Sequence, residues 1–210
     1  IEYTEADEQA HIDAMFDLAV EYDKDVSMLV DDAGDPGLRT LEKLAVRTIR
    51  SGWQGRVLAH HARAMALYPQ PAVLKLGGLL KAAGIGVVTD PHTGPLHARV
   101  RELLEQGVLV CLGQDDISDA YYPYGRNNQL EVAFLASHLL WMTAAEDRER
   151  LYDMITTDAA RAIGLPDFRL EVGAPAHLVV LEAPDVLEAL REHAAPRAVL
   201  HQGRRVPARG

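Results

Sequence analysis

Carboxylates and imidazoles recur at four places along this chain, each directly after a short apolar run: Asp31-Asp32, His60-His61, Asp90 with His92, and Asp115-Asp116 behind Gln114. Imidazoles exchange protons near neutrality and both groups ligate divalent cations, so such a series suits water activation and general acid/base work. A blander account exists for each member, because loops after strands are polar and Asp is a good helix N-cap. Four consecutive strand ends carrying such groups exceed what capping requires. Other chemistries fit less well: no Gly-x-Ser-x-Gly elbow accompanies the acids and histidines, and Gly84-Ile85-Gly86 precedes a strand where a dinucleotide fingerprint would follow one.

The elements that must present these groups alternate in period. Residues 6–22 carry Ile12, Met15, Phe16, Ala19 and Val20 at helical spacing, and 26–30 follow as a strand. A helix is expected over 37–51 with Gly52 as its C-terminal stop, then a strand over 56–59 ending in the two histidines. Helix 72–83, strand 85–88, helix 97–106 and strand 108–112 continue the rhythm, which is that of parallel β/α units. In a parallel α/β barrel the C-terminal strand ends converge on one axial pocket, where chemistry sits. Strand neighbours point to opposite faces, so if His61 faces that axis, His60 does not. Two helices are expected over 129–142 and 144–163. A strand near 178–181, a short helix over 185–192 and a hairpin over 199–206 around Gln202-Gly203 then form a small β appendage.

Composition narrows the possible roles. The 210 residues are 48% hydrophobic and 25% charged, ordinary globular values, and 21 basic against 31 acidic residues leave a net charge of −10. That balance, without a basic cluster, argues against nucleic-acid binding. The apolar runs fall short of the roughly 20 residues that a bilayer span needs. A single cysteine, Cys111, cannot form an internal disulfide; it suits core packing in a reducing compartment, and a cytoplasmic location is expected. The opening Ile1-Glu2-Tyr3 is expected to lie inside a longer chain.

Three stretches resemble the C-terminal half of cytosine-deaminase-like members of the amidohydrolase superfamily. Residues 113–125, Gly-Gln-Asp-Asp-Ile-Ser-Asp-Ala-Tyr-Tyr-Pro-Tyr-Gly, are similar to the segment Gly-His-Asp-Asp-x-x-Asp-Pro-Trp-Tyr-Pro-x-Gly after the eighth barrel strand. Residues 56–65, Arg-Val-Leu-Ala-His-His-Ala-Arg-Ala-Met, are similar to Arg-Val-Thr-Ala-Ser-His-x-x-Ala-Met after the sixth. Met28 to Asp35 stands in the place of Val-His-x-Asp-Glu-x-x-Asp after the fifth.

The resemblance implies the C-terminal half of a (β/α)8 TIM-barrel metal-dependent hydrolase fold over 1–165, with the β appendage over 166–210. It implies one divalent metal ion, zinc or iron, and hydrolysis of a non-peptide C–N bond in a small cyclic amide, amidine or aminated heterocycle. Asp115 matches the eighth-strand metal ligand, which could alternatively receive the water's proton, and His61 matches the residue that contacts the attacking water. Asp32 replaces the glutamate that carries a proton to the ring nitrogen. Gln114, Asp116 and Tyr121 fall where the substrate is shaped, and the 90–96 loop is shorter than the segment that covers substrate. Leu29 occupies the place of the fifth-strand metal-binding histidine, and leucine offers no donor. Two outcomes follow: a hydrolase with an altered ligand set, or a catalytically silent scaffold that binds a ligand or partner. Four strands cannot close an eight-strand barrel, so the other half must come from the same chain or from a partner, and a homo-oligomer is expected.

Overall fold

A computed structural model describes residues 7–115 and 117–207. The chain forms two compact units, one up to Cys111 and one from Leu112 onward.

The first unit is a β/α repeat. Helix α1 (Glu8–Glu21) starts at Asp7, whose carboxylate accepts from the Ala10 amide at 3.0 Å. Strand β1 (Val26–Val30) follows, then α2 (Thr40–Ser51), β2 (Val57–His61), a 3-10 turn over Arg63–Leu67, α3 (Gln70–Ala83), β3 (Gly86–Thr89), α4 (Val100–Glu105) and β4 (Val110–Leu112). Helices α2 and α3 stop at Gly52 and Gly84, both left-handed, at φ 69° and 60°. The sheet order is β1-β2-β3-β4, and β2 pairs in parallel with both β1 and β3. All four strands expected from the alternation are therefore present, with β2 extended to include both histidines.

The sheet has a buried face and an open face. Val26, Met28 and Val30 are buried, as are Val57 and Ala59 beside them, whereas Ser27 and Leu29 are exposed. The cross-strand register places Ser27 beside Leu58 and Gly86, and Leu29 beside His60 and Val88. On the buried side Ile12, Phe16, Leu41, Leu44 and Leu80 have almost no solvent contact, and each such side chain contributes about 1.5–3 kcal/mol of burial free energy.

The second unit contains α5 (Gln129–Leu139), α6 (Ala145–Ile155) and α7 (Thr157–Ala162), followed by β5 (Leu178–Val180), α8 (Val186–Glu192), β6 (Ala198–His201) and β7 (Arg204–Arg205). The last three strands form an antiparallel sheet in the order β5-β6-β7. Gln202 and Gly203 both have positive φ, as a two-residue hairpin turn demands. Where one helix was expected over 144–163, Thr156 leaves helical geometry at φ −126°, ψ −93° and divides it in two. No described helix is long and apolar enough to cross a membrane.

Candidate active site

The ends of β1 and β2 are bent in the same unusual way. Asp31, His61 and Ala62 all adopt left-handed backbone, at φ 53°, 68° and 51°. Non-glycine residues rarely do so, and such positions cost about 1–3 kcal/mol each unless their surroundings enforce them. Here the Ala62 amide donates to Val30 O at 3.1 Å and the Ala64 amide to Asp31 O at 2.9 Å, tying the β2 exit to the β1 exit.

That bend delivers His61 into a polar cluster. His61 Nδ1 lies 2.9 Å from Asp90 Oδ1, and both residues are 5% exposed. Arg63, two residues beyond His61, reaches back with its guanidinium to bridge two carboxylates: Nη1 is 3.0 Å from Asp32 Oδ1, and Nη2 is 3.1 Å from Asp90 Oδ2. The Thr93 hydroxyl accepts from Arg63 Nη2 at 2.8 Å and itself donates to Asp90. His61 Nδ1 is also 3.9 Å from Asp32 Oδ1.

Charges enclosed together shift one another's protonation. Hydrogen bonding to Asp90 raises the His61 imidazole above its ordinary value, against the opposing effect of burial, with the Asp90 and Asp32 charges adding to the rise. Burial alone would raise the Asp90 carboxyl; the hydrogen bonds from His61 and Thr93 and the His61 and Arg63 charges outweigh it and leave the group below the carboxylate range. The pair is thus biased toward imidazolium and carboxylate, an arrangement that offers a proton to a developing negative oxygen.

Asp31 does different work. Its Oδ2 accepts from the Leu41 amide at 3.2 Å and lies 3.4 Å from the Tyr68 hydroxyl, which donates to Leu38 O at 2.6 Å. Burial, with the Asp31 charge beside it, pushes the Tyr68 phenol well above its ordinary value. Asp31 therefore ties the start of α2 to the turn after β2, while its neighbour Asp32 joins the charged cluster.

Of the residues expected from sequence, His61 and Asp32 are brought together in the first unit. Asp115 stands three residues beyond the end of β4 and is exposed; Gln114 is half-buried, Tyr121 is 65% exposed, and Asp116 lies outside the described residues. Asp119 shapes the Tyr121 loop by accepting from the Tyr121 and Tyr122 amides at 2.9 and 2.8 Å. His92 is half-buried in the turn after β3. Asp90, one of the four strand-end groups, has a place in the cluster that the sequence alone did not assign, and nothing in the sequence around Arg63 or Thr93 marks either as its partner. Leu29 is 59% exposed on the open face and supplies no donor atom.

His60 lies on the open face beside its register partner Leu29, with Nε2 2.7 Å from Ser27 Oγ, whereas His61 is buried, so burial alternates along β2 through both histidines.

The amidohydrolase family matches residues 1–207. An N-isopropylammelide isopropyl amidohydrolase from Pseudomonas sp. strain ADP is 31% identical over 93% of this chain and 49% of its own length. A pterin deaminase from Rhizobium rhizogenes is 28% identical over 94% of this chain and 48% of its own. Among solved structures, a 5-methylcytosine deaminase from Klebsiella pneumoniae liganded with 5-fluorocytosine superposes with a TM-score of 0.89 at 32% identity, covering 96% of this chain and 52% of that one. The chain spans about half the length of the relatives it matches.

Proposed function

The chain belongs to the amidohydrolase family, and we propose that it forms the C-terminal half of a barrel hydrolase that cleaves a non-peptide C–N bond in a small cyclic amide, amidine or aminated heterocycle. The observation that carries this reading is the buried His61–Asp90 pair, bridged through Arg63 to Asp32, at the C-terminal ends of parallel strands. In this division residues 1–165 belong to the barrel and 166–210 to its β appendage. The remaining barrel strands come from a longer chain or a partner. The buried thiol of Cys111 suits a cytoplasmic setting.

The donor set fits one divalent cation of zinc or iron type. A carboxylate holding one imidazole nitrogen, as Asp90 holds His61, is the pairing that orients a histidine toward a metal or its water. Asp115, in the segment after β4, would hold the ion or receive the water's proton. The chemistry that such an ion supplies is a lowered pKa for bound water. His61 donates a hydrogen bond to the attacking oxygen, which its raised pKa favours. Asp32 carries the proton to the departing nitrogen, and Arg63 holds that carboxylate in place. Gln114, Asp116 and Tyr121 shape the substrate pocket. The altered proton carrier and ring-facing residue point to a substrate other than cytosine.

Leu29 favours the second reading, a silent scaffold, because a missing ligand weakens a metal site. Amine or ammonia release by the full-length protein from a panel of aminated heterocycles separates the two. Turnover that falls about 100-fold or more in His61→Ala and in Asp115→Ala supports the hydrolase. Absence of turnover across the panel, with tight binding of one member, supports the scaffold.

A further inference from the structure

The turn that leaves β3 folds a hydroxyl back onto the strand end. Asp90-Pro91-His92-Thr93 closes with the Thr93 amide donating to Asp90 O at 3.1 Å, and proline at the second position of such a turn brings the φ that it requires. The same loop is braced farther along: Leu96 packs so closely on Gly34, in the loop after β1, that a Cβ there would lie 2.6 Å from Leu96 Cδ1. Thr93, 5% exposed, is thereby fixed beside the charged cluster, although it follows β3 and not β1 or β2, whose ends deliver Asp32 and His61.

A threonine hydroxyl has one proton and two lone pairs. Here the proton goes to the Asp90 carboxylate, and a lone pair accepts from Arg63 Nη2 at 2.8 Å. Through Asp90 the hydroxyl bears on His61, whose Nδ1 meets the other carboxylate oxygen at 2.9 Å. Through Arg63 it bears on Asp32, whose Oδ1 is 3.0 Å from Nη1. One neutral group thus touches both members of the Asp90–Arg63 ion pair, and each member holds a different proton-handling side chain. Hydrogen bonds to charged partners are the strong ones, and a buried polar network rigidifies its members when each is satisfied.

We propose that Thr93 is a positioning residue for the reaction: its hydroxyl, set between Asp90 and Arg63, aligns the proton donor His61 and the proton carrier Asp32 on one substrate. This rests on the hydrolase reading above and adds to it a residue that acts only through two others.

The test compares Thr93→Val, which keeps the shape and removes the hydroxyl, with Thr93→Ser, which restores it, both in the full-length protein. The valine variant retains Asp90 and Arg63, which meet directly at 3.1 Å, so it reads the hydroxyl and not the ion pair. Thr93→Val is expected to lower kcat about 10–100-fold with KM changed by less than about 3-fold, the pattern of an interaction used in the transition state, and Thr93→Ser to return kcat to within about 3-fold of the wild type. The loss is expected to shrink in an Asp90→Asn background and in an Asp32→Asn background, because each removes a group through which Thr93 acts. Nitrogen NMR of the His61 ring, assigned by its disappearance in His61→Ala, gives a readout apart from turnover: the Nδ1 resonance is expected to move in Thr93→Val and to return in Thr93→Ser. An unmoved resonance, an unchanged kcat, a loss that serine fails to rescue, or full additivity in either background overturns the role of Thr93 and leaves the hydrolase reading intact. Wild-type protein that turns over no aminated heterocycle overturns both.

Discussion

The charged cluster around Arg63 contributes to the pH response of the first unit. His61 is raised relative to the unfolded chain, so its contribution to stability is complete below about pH 6.5 and is lost as pH rises through the higher folded value. Asp90 is lowered, so its contribution is complete above about pH 4 and is lost as pH falls through the folded value. The pair therefore stabilises most between those limits. Urea unfolding across pH, in chelator, is expected to show this window in the wild type and a flatter profile in Asp90→Asn; identical profiles would contradict the pairing. Arg63→Ala leaves two carboxylates without their shared cation. Removing one member of a buried ion pair costs about 3–5 kcal/mol, and this case belongs at the lower end because the Asp32 side chain is 33% exposed and partly screened. An unchanged urea midpoint in Arg63→Ala would show that the bridge contributes nothing.

Punctuating glycines fix how α2 and α3 return to the sheet. At Gly84, between α3 and β3, φ is +60° and an added Cβ would sit 2.8 Å from the Gly55 backbone nitrogen, so neither rotation nor a flexible neighbour can accommodate it. Gly84→Ala is expected to cost more than the ~1 kcal/mol typical of strain at positive φ, whereas Gly52→Ala, with open space around it, should cost about that amount. Comparable urea midpoints for the two variants would refute the close approach. Elements of this kind were legible in the sequence because helical and strand periods alternate cleanly from residue 7 to 112, and Gly52 and Gly84 announced their own helix ends. The expected helix over 97–106 shortened to Val100–Glu105, and the 3-10 turn after β2 had no periodic signal at all. His61 and Asp32 were legible as strand-end residues. Arg63 was not, since its place in the cluster depends on a turn made by two left-handed residues, and no local pattern in His-His-Ala-Arg declares that bend.

At the scale of the molecule, a four-stranded sheet carries acids and imidazoles at the C-terminal ends of its strands and exposes Leu29 and Ser27 on one face. The function we propose is that of a hydrolase whose water is activated at the ends of these strands. Turnover of a reactive aminated heterocycle by the full-length protein in heavy-oxygen water tests that description most directly. The account predicts that the carbon losing its amine gains one solvent oxygen, and that His61→Ala slows this incorporation by about 100-fold or more. Amine release without solvent oxygen in the product, or incorporation at an undiminished rate in His61→Ala, would contradict it.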